Sequence, residues 1–304
     1  MPNAFLPYAV LVASAPAASV KDGDISLLNP TAVNGTNLYE TDILLTDGQH
    51  LQVIAKKAIN YLAARWSTDA KGFPEVPYSF GDERDKAAAV AAGIDHWEEN
   101  TCITFHTSPH IKFILGSGCW SYIGSINSNT GQDLSIGTGC TGVGTVAHEI
   151  GHAIGFYHEQ SRSDRDRQVK ILLENVIAGK ESNFNSYADN NYSVPYDFLS
   201  DMHYNSEAFS SNGKLTIVTV DPMNQELIGV RDALSHMDKL LANKIYPCID
   251  VRCTKVIEAP ACHKVQLNFT DFQIYGRHAF CNNTMCCYFE ILEIRTNDSF
   301  KGDV

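Results

Sequence analysis

Alternating apolar and polar residues predict three short strands in the first half of the chain, at Val76–Phe80, Cys102–Thr107 and Ile111–Leu115. Between the first two strands, apolar side chains recur at spacings of three and four residues. This spacing places them on one face of a helix, so an amphipathic helix is predicted at Lys86–Glu99. Globular patterning therefore begins near Gly72.

A further helix is predicted at Ser235–Tyr246, where apolar residues again line one face. Ser235 and Asp238 have the spacing of a capping box, and Pro247 would end the helix. Because strands and helices alternate between Gly72 and this point, the sequence predicts a mixed α+β fold with one substantial core.

The amino-terminal region lacks this patterning. Residues 1–19 are mostly apolar and then small, as in a secretory signal, although no Lys or Arg precedes the apolar stretch; a disordered terminus is the alternative. Residues 20–57 are rich in Gly, Asn, Asp and Thr and contain no cysteine, so we expect a separate, lightly structured segment. The pair Lys56 and Lys57 ends this segment and is either a processing site or solvated surface.

Composition narrows the function classes. The 304 residues carry 35 acidic and 23 basic side chains, and a net charge of −12 argues against non-specific binding to nucleic acid or anionic lipid. The chain has no run of 18 apolar residues, so no membrane-spanning helix is expected. Nine cysteines favour disulfides and an oxidising, extracellular location. Secretion also agrees with five N-x-[ST] sequons, at Asn34, Asn191, Asn268, Asn282 and Asn297.

A glycine-rich loop at Gly137–Gly142 fits the pattern G-x-G-x-x-G and follows the strand-like Leu134–Ile136. This pattern occurs in dinucleotide-binding loops, but the motif alone is weak evidence. Cys140 lies inside the loop, and the helix that follows carries a different chemistry. A dinucleotide enzyme is therefore the less favoured alternative.

That next helix carries a metal-binding pattern. His148 and His152 are four residues apart, so both imidazoles lie on one helical face and can bind a single cation. Gly155 can end the helix with a sharp turn, which lets His158 return as a third nitrogen ligand. Three neutral imidazoles suit Zn²⁺ and leave a coordination position open for water. Glu149 lies off the ligand face and is expected to point at that water.

These residues form the metzincin zinc motif H-E-x-x-H-x-x-G-x-x-H. With Phe156, Glu159 and Arg162–Asp166, the chain resembles the astacin family of secreted zinc endopeptidases. The resemblance covers roughly Trp66 to Cys248. It extends to four further segments, Gly118–Gly124, Ser200–Tyr204, Ile228–Arg231 and Asn243–Cys248.

The resemblance implies a two-lobed, metzincin-like catalytic domain at residues 58–248. A twisted mixed sheet with helices would lie above the zinc cleft, and the lower lobe would be irregular. Residues 20–57 would be the pro-segment, and residues 249–304 a short β-rich, cysteine-containing tail. Two stretches of the tail, Val265–Ile274 and Cys287–Ile294, resemble strands of a CUB module, so the tail is expected to offer protein contacts.

The resemblance also implies roles at the active site. His148, His152 and His158 would hold one zinc ion per catalytic domain, and Glu149 would act as general base and then general acid. Tyr204 would serve as a further zinc ligand that swings to stabilise the oxyanion.

Other family positions would support the site. Met202 would form its hydrophobic floor, and Glu159 would meet the new amino terminus of the mature enzyme, which is Ala58 if the cut follows Lys57. Arg231 stands where some relatives carry a cation that favours acidic residues just after the scissile bond.

Leu38–Ile43 resembles the family's pro-segment switch, in which an aspartate, here Asp42, ligates zinc and displaces the water. Two residues depart from the pattern: Tyr39 replaces phenylalanine, and Thr41 replaces glycine. The Cβ atom of Thr41 is expected to hinder a close approach of the backbone.

The cysteines Cys102, Cys119, Cys140 and Cys248 fall in the catalytic region and allow three pairings. The resemblance selects Cys102–Cys248 and Cys119–Cys140. Five cysteines remain in the tail, so at least one of them lacks a partner among themselves.

The resulting hypothesis is a secreted zinc endopeptidase made as a zymogen. It would cleave proteins or peptides and would need an activating protease. The alternative is a catalytically silent secreted binding protein on the same scaffold, but neither a ligand histidine nor Glu149 has been lost.

Overall fold

A six-stranded mixed sheet forms the centre of the structure, a computed structural model that describes residues 29–54, 65–70, 72–81, 86–126, 128–186 and 191–246. These residues all lie in one unit, Met1–Pro247. The strands are β1 Ala32–Val33, β2 Thr36–Asn37, β3 Ile43–Leu44, β4 Glu75–Phe80, β5 Thr104–Thr107, β6 Ile111–Ile114, β7 Cys119–Tyr122, β8 Gln132–Ile136, β9 Val169–Ile171 and β10 Ile217–Thr219. The α-helices are α1 Asp47–Ile54, α2 Ala87–Asn100, α3 Val143–Ala153 and α4 His236–Ile245.

The order of strands in the main sheet is β3-β7-β8-β6-β4-β5. Only β7 and β8 run antiparallel to each other; the other neighbours are parallel. The β4-α2-β5 crossover explains the parallel pairing, because parallel strands need a long connection between them. Strands β7 and β8 follow each other in the chain and are joined by residues 123–131, a loop that permits the antiparallel pair.

Helices α2 and α3 pack against each other in the main core. The Trp97 side chain is fully buried and donates a hydrogen bond to the backbone carbonyl of Ala147 at 2.9 Å. Gly93 faces Val146, where a Cβ atom would lie 2.4 Å from the valine Cγ1. Ile150 and Leu134 belong to the same core cluster. This packing fixes the position of α3.

The second half of the chain is mostly irregular. Its regular part is the antiparallel pair of β9 and β10, joined to short 3₁₀ turns. A separate apolar cluster lies here and includes Phe184, Tyr204, Phe209, Ile217 and Ile228. The predicted α+β fold with an irregular lower half is therefore confirmed.

The predicted elements agree with the structure to within two residues. The largest shifts are in β5, which begins at Thr104 rather than Cys102, and in β8, which begins at Gln132 rather than Leu134. The capping box of α4 is present: the Asp238 backbone N–H donates to Ser235 Oγ at 2.9 Å, and the Ser235 N–H donates to Asp238 Oδ2 at 3.0 Å.

The segment before residue 58 was expected to be separate from the rest of the fold, and this expectation is wrong for β3. Ile43 pairs with Ser121, and Leu44 with Tyr122, so β3 is an edge strand of the main sheet. Ile43 and Leu45 pack with Ile123 and with Tyr157. Two residues are too few to show alternation, and the partner strand is distant in sequence. The patterning therefore could not predict this strand.

One predicted disulfide, Cys119–Cys140, is formed, with its Cα atoms 5.8 Å apart. Cys102 is also disulfide-bonded, and its expected partner Cys248 lies outside the described residues. The signal, the Lys57–Ala58 bond and the tail at 249–304 also lie outside them. None of the described helices has the length and apolar character needed to span a membrane.

Candidate metal centre

Helix α3 and the turn that follows it position three histidines. His148 and His152 lie on α3, and both are fully buried. Gly155 follows the helix with φ 106°, a left-handed conformation that glycine adopts without strain. The chain therefore reverses, and His158 returns to the same place with 1% exposure.

Four ligand atoms converge at this point, from His148, His152, His158 and Asp42. The Nε2 atoms of His148 and His152 are 3.1 Å apart. Asp42 Oδ2 lies 3.4 Å from Nε2 of His148 and 3.2 Å from Nε2 of His158, and its Oδ1 lies 3.6 Å from Nε2 of His152. The segment before residue 58 therefore contributes a carboxylate to the histidine cluster.

The other nitrogen of each ring is held by a hydrogen bond. His148 Nδ1 donates to the backbone carbonyl of Asp201 at 2.8 Å, and His152 Nδ1 donates to that of Phe156 at 2.7 Å. His158 Nδ1 donates to Glu40 Oε2 at 2.7 Å. Since these bonds place the proton on Nδ1, each neutral ring turns the lone pair of Nε2 towards the cluster.

The donor set fits zinc. Tetrahedral ligands at zinc distances of nitrogen and oxygen lie about 3.3 Å from one another, close to the spacings observed here. Asp42 Oδ1 is buried and has no hydrogen-bond partner among the described residues. The Nε2 lone pairs of His148 and His152 and the Asp42 carboxylate repel one another unless a positive charge lies between them. Three histidines and one oxygen ligand are also a donor set that suits Zn²⁺.

The electrostatics favour a positive charge at this point. Burial lowers the pKa of His148 well below its usual value and also lowers the pKa of His152, so both rings are neutral. Burial acts in the same direction on His158, but the carboxylates of Asp42 and Glu40 outweigh it and raise its pKa to about 9. A cation bound in the cluster would also neutralise the Asp42 carboxylate, whose oxygens face it.

Glu149 lies beside the first ligand with its carboxyl group fully buried. Neither of its oxygens has a hydrogen-bond partner among the residues that the structure describes. Burial, with a contribution from Asp42, raises the pKa of Glu149 well above its usual value, while Arg231 acts in the opposite direction.

Met202 and Tyr204 lie next to the histidine cluster but take different positions. Met202 packs under α3, where its Sδ would lie 2.8 Å from a Cβ atom at Gly151. The Tyr204 ring lies 4.6 Å from the His158 ring, centre to centre. Its hydroxyl donates to the backbone carbonyl of Glu40 at 2.6 Å, so in this structure the phenol contacts the segment before residue 58.

The carboxylate of Glu159 is held by groups of its own region. Oε1 accepts from Arg162 Nη1 at 3.1 Å and from the backbone N–H of Asp197 at 2.8 Å. Burial raises the pKa of Glu159 to about 8 against the opposing effect of Arg162. Ala58, its expected partner, lies outside the described residues.

Arg231 is half-buried, and its Nη1 donates to the backbone carbonyl of Asp201 at 3.2 Å. That carbonyl also accepts from His148, so Arg231 lies near the metal centre through a shared acceptor.

Two residues at this site were not predicted from the sequence. Glu40 is 1% exposed and bonds both to His158 and to Ser161, whose Oγ donates to Glu40 Oε1 at 2.6 Å. The one available signal was the position of Glu40 two residues before Asp42. Ser161 follows the third histidine but belongs to no motif, so nothing in the sequence distinguished it.

The chain is similar to known zinc proteases. The profile of the astacin family of peptidases matches residues 58–247. The chain is 40% identical over 240 residues to Protein SpAN of Strongylocentrotus purpuratus, and 43% identical over 240 residues to Blastula protease 10 of Paracentrotus lividus. It is 37% identical over 225 residues to human Meprin A subunit beta. Each alignment covers 70% of this chain.

A solved structure shows the same fold. It is the high choriolytic enzyme 1, a hatching enzyme zinc-protease from the medaka Oryzias latipes, with a TM-score of 0.58 and 34% identity. The match covers 62% of this chain and 96% of that one. By contrast, the alignments span only 38% of SpAN, 39% of Blastula protease 10 and 30% of the human meprin subunit.

Proposed function

The chain belongs to the astacin family of peptidases, and we propose that it is a zinc-dependent endopeptidase made as a secreted zymogen. The observation that carries this proposal is the mixed ligand set, in which Asp42 of the pro-segment lies among the three histidines. A carboxylate in that position blocks the place where water and a peptide carbonyl would bind.

In the active form, His148, His152 and His158 would hold the zinc ion. When bound, zinc supplies Lewis acidity, which polarises a peptide carbonyl and lowers the pKa of water. Glu149 is the general base: it accepts a proton from the attacking water and later donates it to the leaving amine. Neither of its oxygens makes a hydrogen bond to the described residues, which supports this role.

Tyr204 acts after the pro-segment leaves. Its hydroxyl now donates to the Glu40 carbonyl, and removal of the segment frees it to donate to the developing oxyanion. The 4.6 Å distance between the Tyr204 and His158 rings supports this role, because the phenol already lies beside a ligand. Met202 packs against Gly151 of α3 and supports the histidines from below.

Activation is a proteolytic step between the pro-segment at 20–57 and the peptidase domain at 58–248. The proposed cut after Lys57 makes Ala58 the new amino terminus, whose charge would meet the buried Glu159 carboxylate. Residues 1–19 would direct secretion. The disulfide bonds of Cys119 and Cys102 support an extracellular location. The partners are an activating protease and protein or peptide substrates.

Arg231 would favour substrates with an acidic residue just after the scissile bond. Its half-buried guanidinium bonds the same carbonyl as His148, which supports a position at the cleft. Charge complementarity then selects a carboxylate. We expect an Arg231→Gln variant to have a lower kcat/KM for peptides with aspartate at that position. Its kcat/KM for peptides with alanine there should be unchanged.

The zymogen proposal is tested on the purified chain by zinc content and by cleavage of a denatured protein before and after limited trypsin treatment. We expect one zinc per chain and chelator-sensitive cleavage only after trimming. Glu149→Gln should keep its zinc and lose activity by about 10²-fold or more, on the order expected for a general base. Zinc without cleavage in the verified, trimmed wild type would instead support the silent binding protein.

A further inference from the structure

The pro-segment reaches the metal centre through a tight loop, Tyr39–Ile43, which we call the switch loop. Two backbone hydrogen bonds close it: the N–H of Tyr39 donates to the carbonyl of Ile43 at 2.8 Å, and the N–H of Ile43 donates back at 3.0 Å. Glu40 and Thr41 at the tip both have positive φ, 48° and 74°. The loop therefore presents Glu40 and Asp42 to the cleft from one compact turn.

The two carboxylates of the switch loop hold opposite sides of one imidazole. Asp42 Oδ2 lies 3.2 Å from Nε2 of His158, while Glu40 Oε2 accepts from Nδ1 at 2.7 Å. The second oxygen of Glu40 accepts from Ser161 Oγ at 2.6 Å. Glu40 thus fills a small site with two buried donors, and both are satisfied by its carboxylate.

We propose that Glu40 is a second determinant of latency, because its carboxylate occupies an anion-binding site formed by His158 Nδ1 and Ser161 Oγ. This inference rests on the zymogen function proposed above. It differs from the aspartate switch, since Glu40 bonds to Nδ1 of His158, the ring nitrogen that points away from the metal position.

The physical reason is that the two contacts support each other. Buried donors are costly to leave unpaired, so His158 and Ser161 both favour the bound switch loop. Once Glu40 is bound, Asp42 is held beside the histidines at high effective concentration. The Tyr204 hydroxyl, which donates to the Glu40 carbonyl, further fixes the backbone of the same residue. Without the Glu40 side chain, Asp42 alone must keep the cleft closed.

The test compares untrimmed, full-length zymogens that carry Glu40→Ala, Glu40→Gln, Ser161→Ala or Asp42→Ala. The readout is the initial rate of cleavage of a fluorogenic peptide, before and after trimming. We expect Glu40→Ala to raise the rate before trimming at least tenfold, and Glu40→Gln to raise it less. After trimming, the two Glu40 variants must equal wild type, because the altered residue has left with the pro-segment.

A matched control separates loss of this site from general loosening of the pro-segment. Gln49 also joins the segment to the peptidase, since its Nε2 donates to the carbonyl of Ile123 at 2.9 Å, but its side chain bonds to Thr46 and Ile123 and not to a histidine. Gln49→Ala should leave the rate before trimming near that of wild type. Combining Glu40→Ala with Ser161→Ala should raise that rate no further than Glu40→Ala alone.

The outcomes distinguish this inference from the zymogen proposal. If Asp42→Ala activates the untrimmed chain and Glu40→Ala does not, the Glu40 site is wrong and the zymogen stands. If trimmed wild type has no activity, the proposed function itself fails.

A second measurement covers the case in which Glu40→Ala does not fold. A synthetic peptide of residues 36–45 should inhibit trimmed wild-type enzyme, and the same peptide with alanine at position 40 should inhibit at least tenfold more weakly. Equal inhibition by the two peptides would overturn the inference.

Discussion

Thr41 has a backbone conformation that a β-branched residue rarely adopts. Its φ is 74°, although its hydroxyl does donate to the Glu40 carbonyl at 2.6 Å. The expected hindrance from its Cβ atom therefore does not keep the switch loop out of the cleft. It is accommodated by strain, which for such a residue is on the order of 1 kcal/mol or more.

Thr41→Gly should stabilise the untrimmed protein, because glycine adopts this φ without a clash. The gain should be up to about 1 kcal/mol, since the greater flexibility of glycine in the unfolded chain offsets part of it. Urea unfolding of the untrimmed protein measures the change. Thr41→Ala is the control, because it removes the hydroxyl but keeps the Cβ atom; an equal gain in that variant would show that φ is not the cause.

Arg162 joins several buried groups at once. Its guanidinium contacts Glu159 at 3.1 Å, Asp164 at 2.9 and 2.8 Å, and the carbonyl of Val194 at 3.0 Å. Replacing it leaves the buried Glu159 carboxylate without its cation, and losing one partner of such a pair costs about 3 kcal/mol or more.

We therefore expect Arg162→Met to lower the free energy of unfolding by about 3 kcal/mol. Denaturant titration of the untrimmed protein gives this value. The exposed Arg167 supplies the control, and Arg167→Met should change the stability by less than about 0.5 kcal/mol. Similar losses in the two variants would contradict the assigned role of Arg162.

At the scale of elements, helix α3 is positioned by close backbone contact at its start. A Cβ atom at Gly144 would lie 1.8 Å from the carbonyl oxygen of Arg231. Backbone atoms cannot rotate away as a side chain can, so a larger residue must displace the helix or the segment that contains Arg231. The histidines of α3 would move with it.

Gly144→Ala should therefore lower zinc content and activity together, and should destabilise the protein by about 2 kcal/mol or more. Metal analysis and thermal unfolding measure the two effects. Gly48 of α1 offers a helical control, because its nearest neighbour to an added Cβ is 4.0 Å away. Gly48→Ala should be neutral or slightly stabilising. Normal zinc content in Gly144→Ala would refute this account of how α3 is held.

For the whole molecule, the buried ligand set couples metal binding to folding. Zinc binds the assembled cluster more tightly than the unfolded chain, so it should stabilise the folded state by about 4 kcal/mol at a thousandfold excess over its Kd. In a domain of this size, we expect a chelator to lower the Tm by roughly 8–16 °C. Zn²⁺ should restore it and Mg²⁺ should not, because Mg²⁺ prefers oxygen ligands. An unchanged Tm would contradict the metal centre.

The parts of the site that are local in sequence could be predicted from it. His148, His152 and His158 lie within eleven residues, and helix geometry alone brings the first two together. The Glu40 contacts could not be predicted, because they join residues that are 118 and 121 positions apart in the sequence. Tertiary packing decides such contacts, and no periodic pattern encodes them. The same holds for the Nδ1 acceptors of His148 and His152, which are backbone carbonyls and carry no side-chain signature.

The helices and strands also divide into those that a local pattern predicts and those that only tertiary packing decides. Helix α2 spans four turns and was predicted to within one residue at each end, because its apolar stripe is long enough to show its period. Strand β3 has two residues and pairs with β7 across 78 positions, so it leaves no pattern. The expectation that this segment is separate failed there, because the partner strand decided that β3 belongs to the sheet.

Strand β3 has a kinetic consequence. The proposed pro-segment is held by backbone pairing with β7, by Ile43 and Leu45 in an apolar cluster, and by its two carboxylates. Cutting the chain breaks none of these contacts; it only turns an intramolecular inhibitor into a bimolecular one. Enzyme activity should therefore appear with a lag set by the departure of the cut segment. Dilution should then increase the active fraction, and concentrated enzyme should remain partly inhibited by the segment it has released.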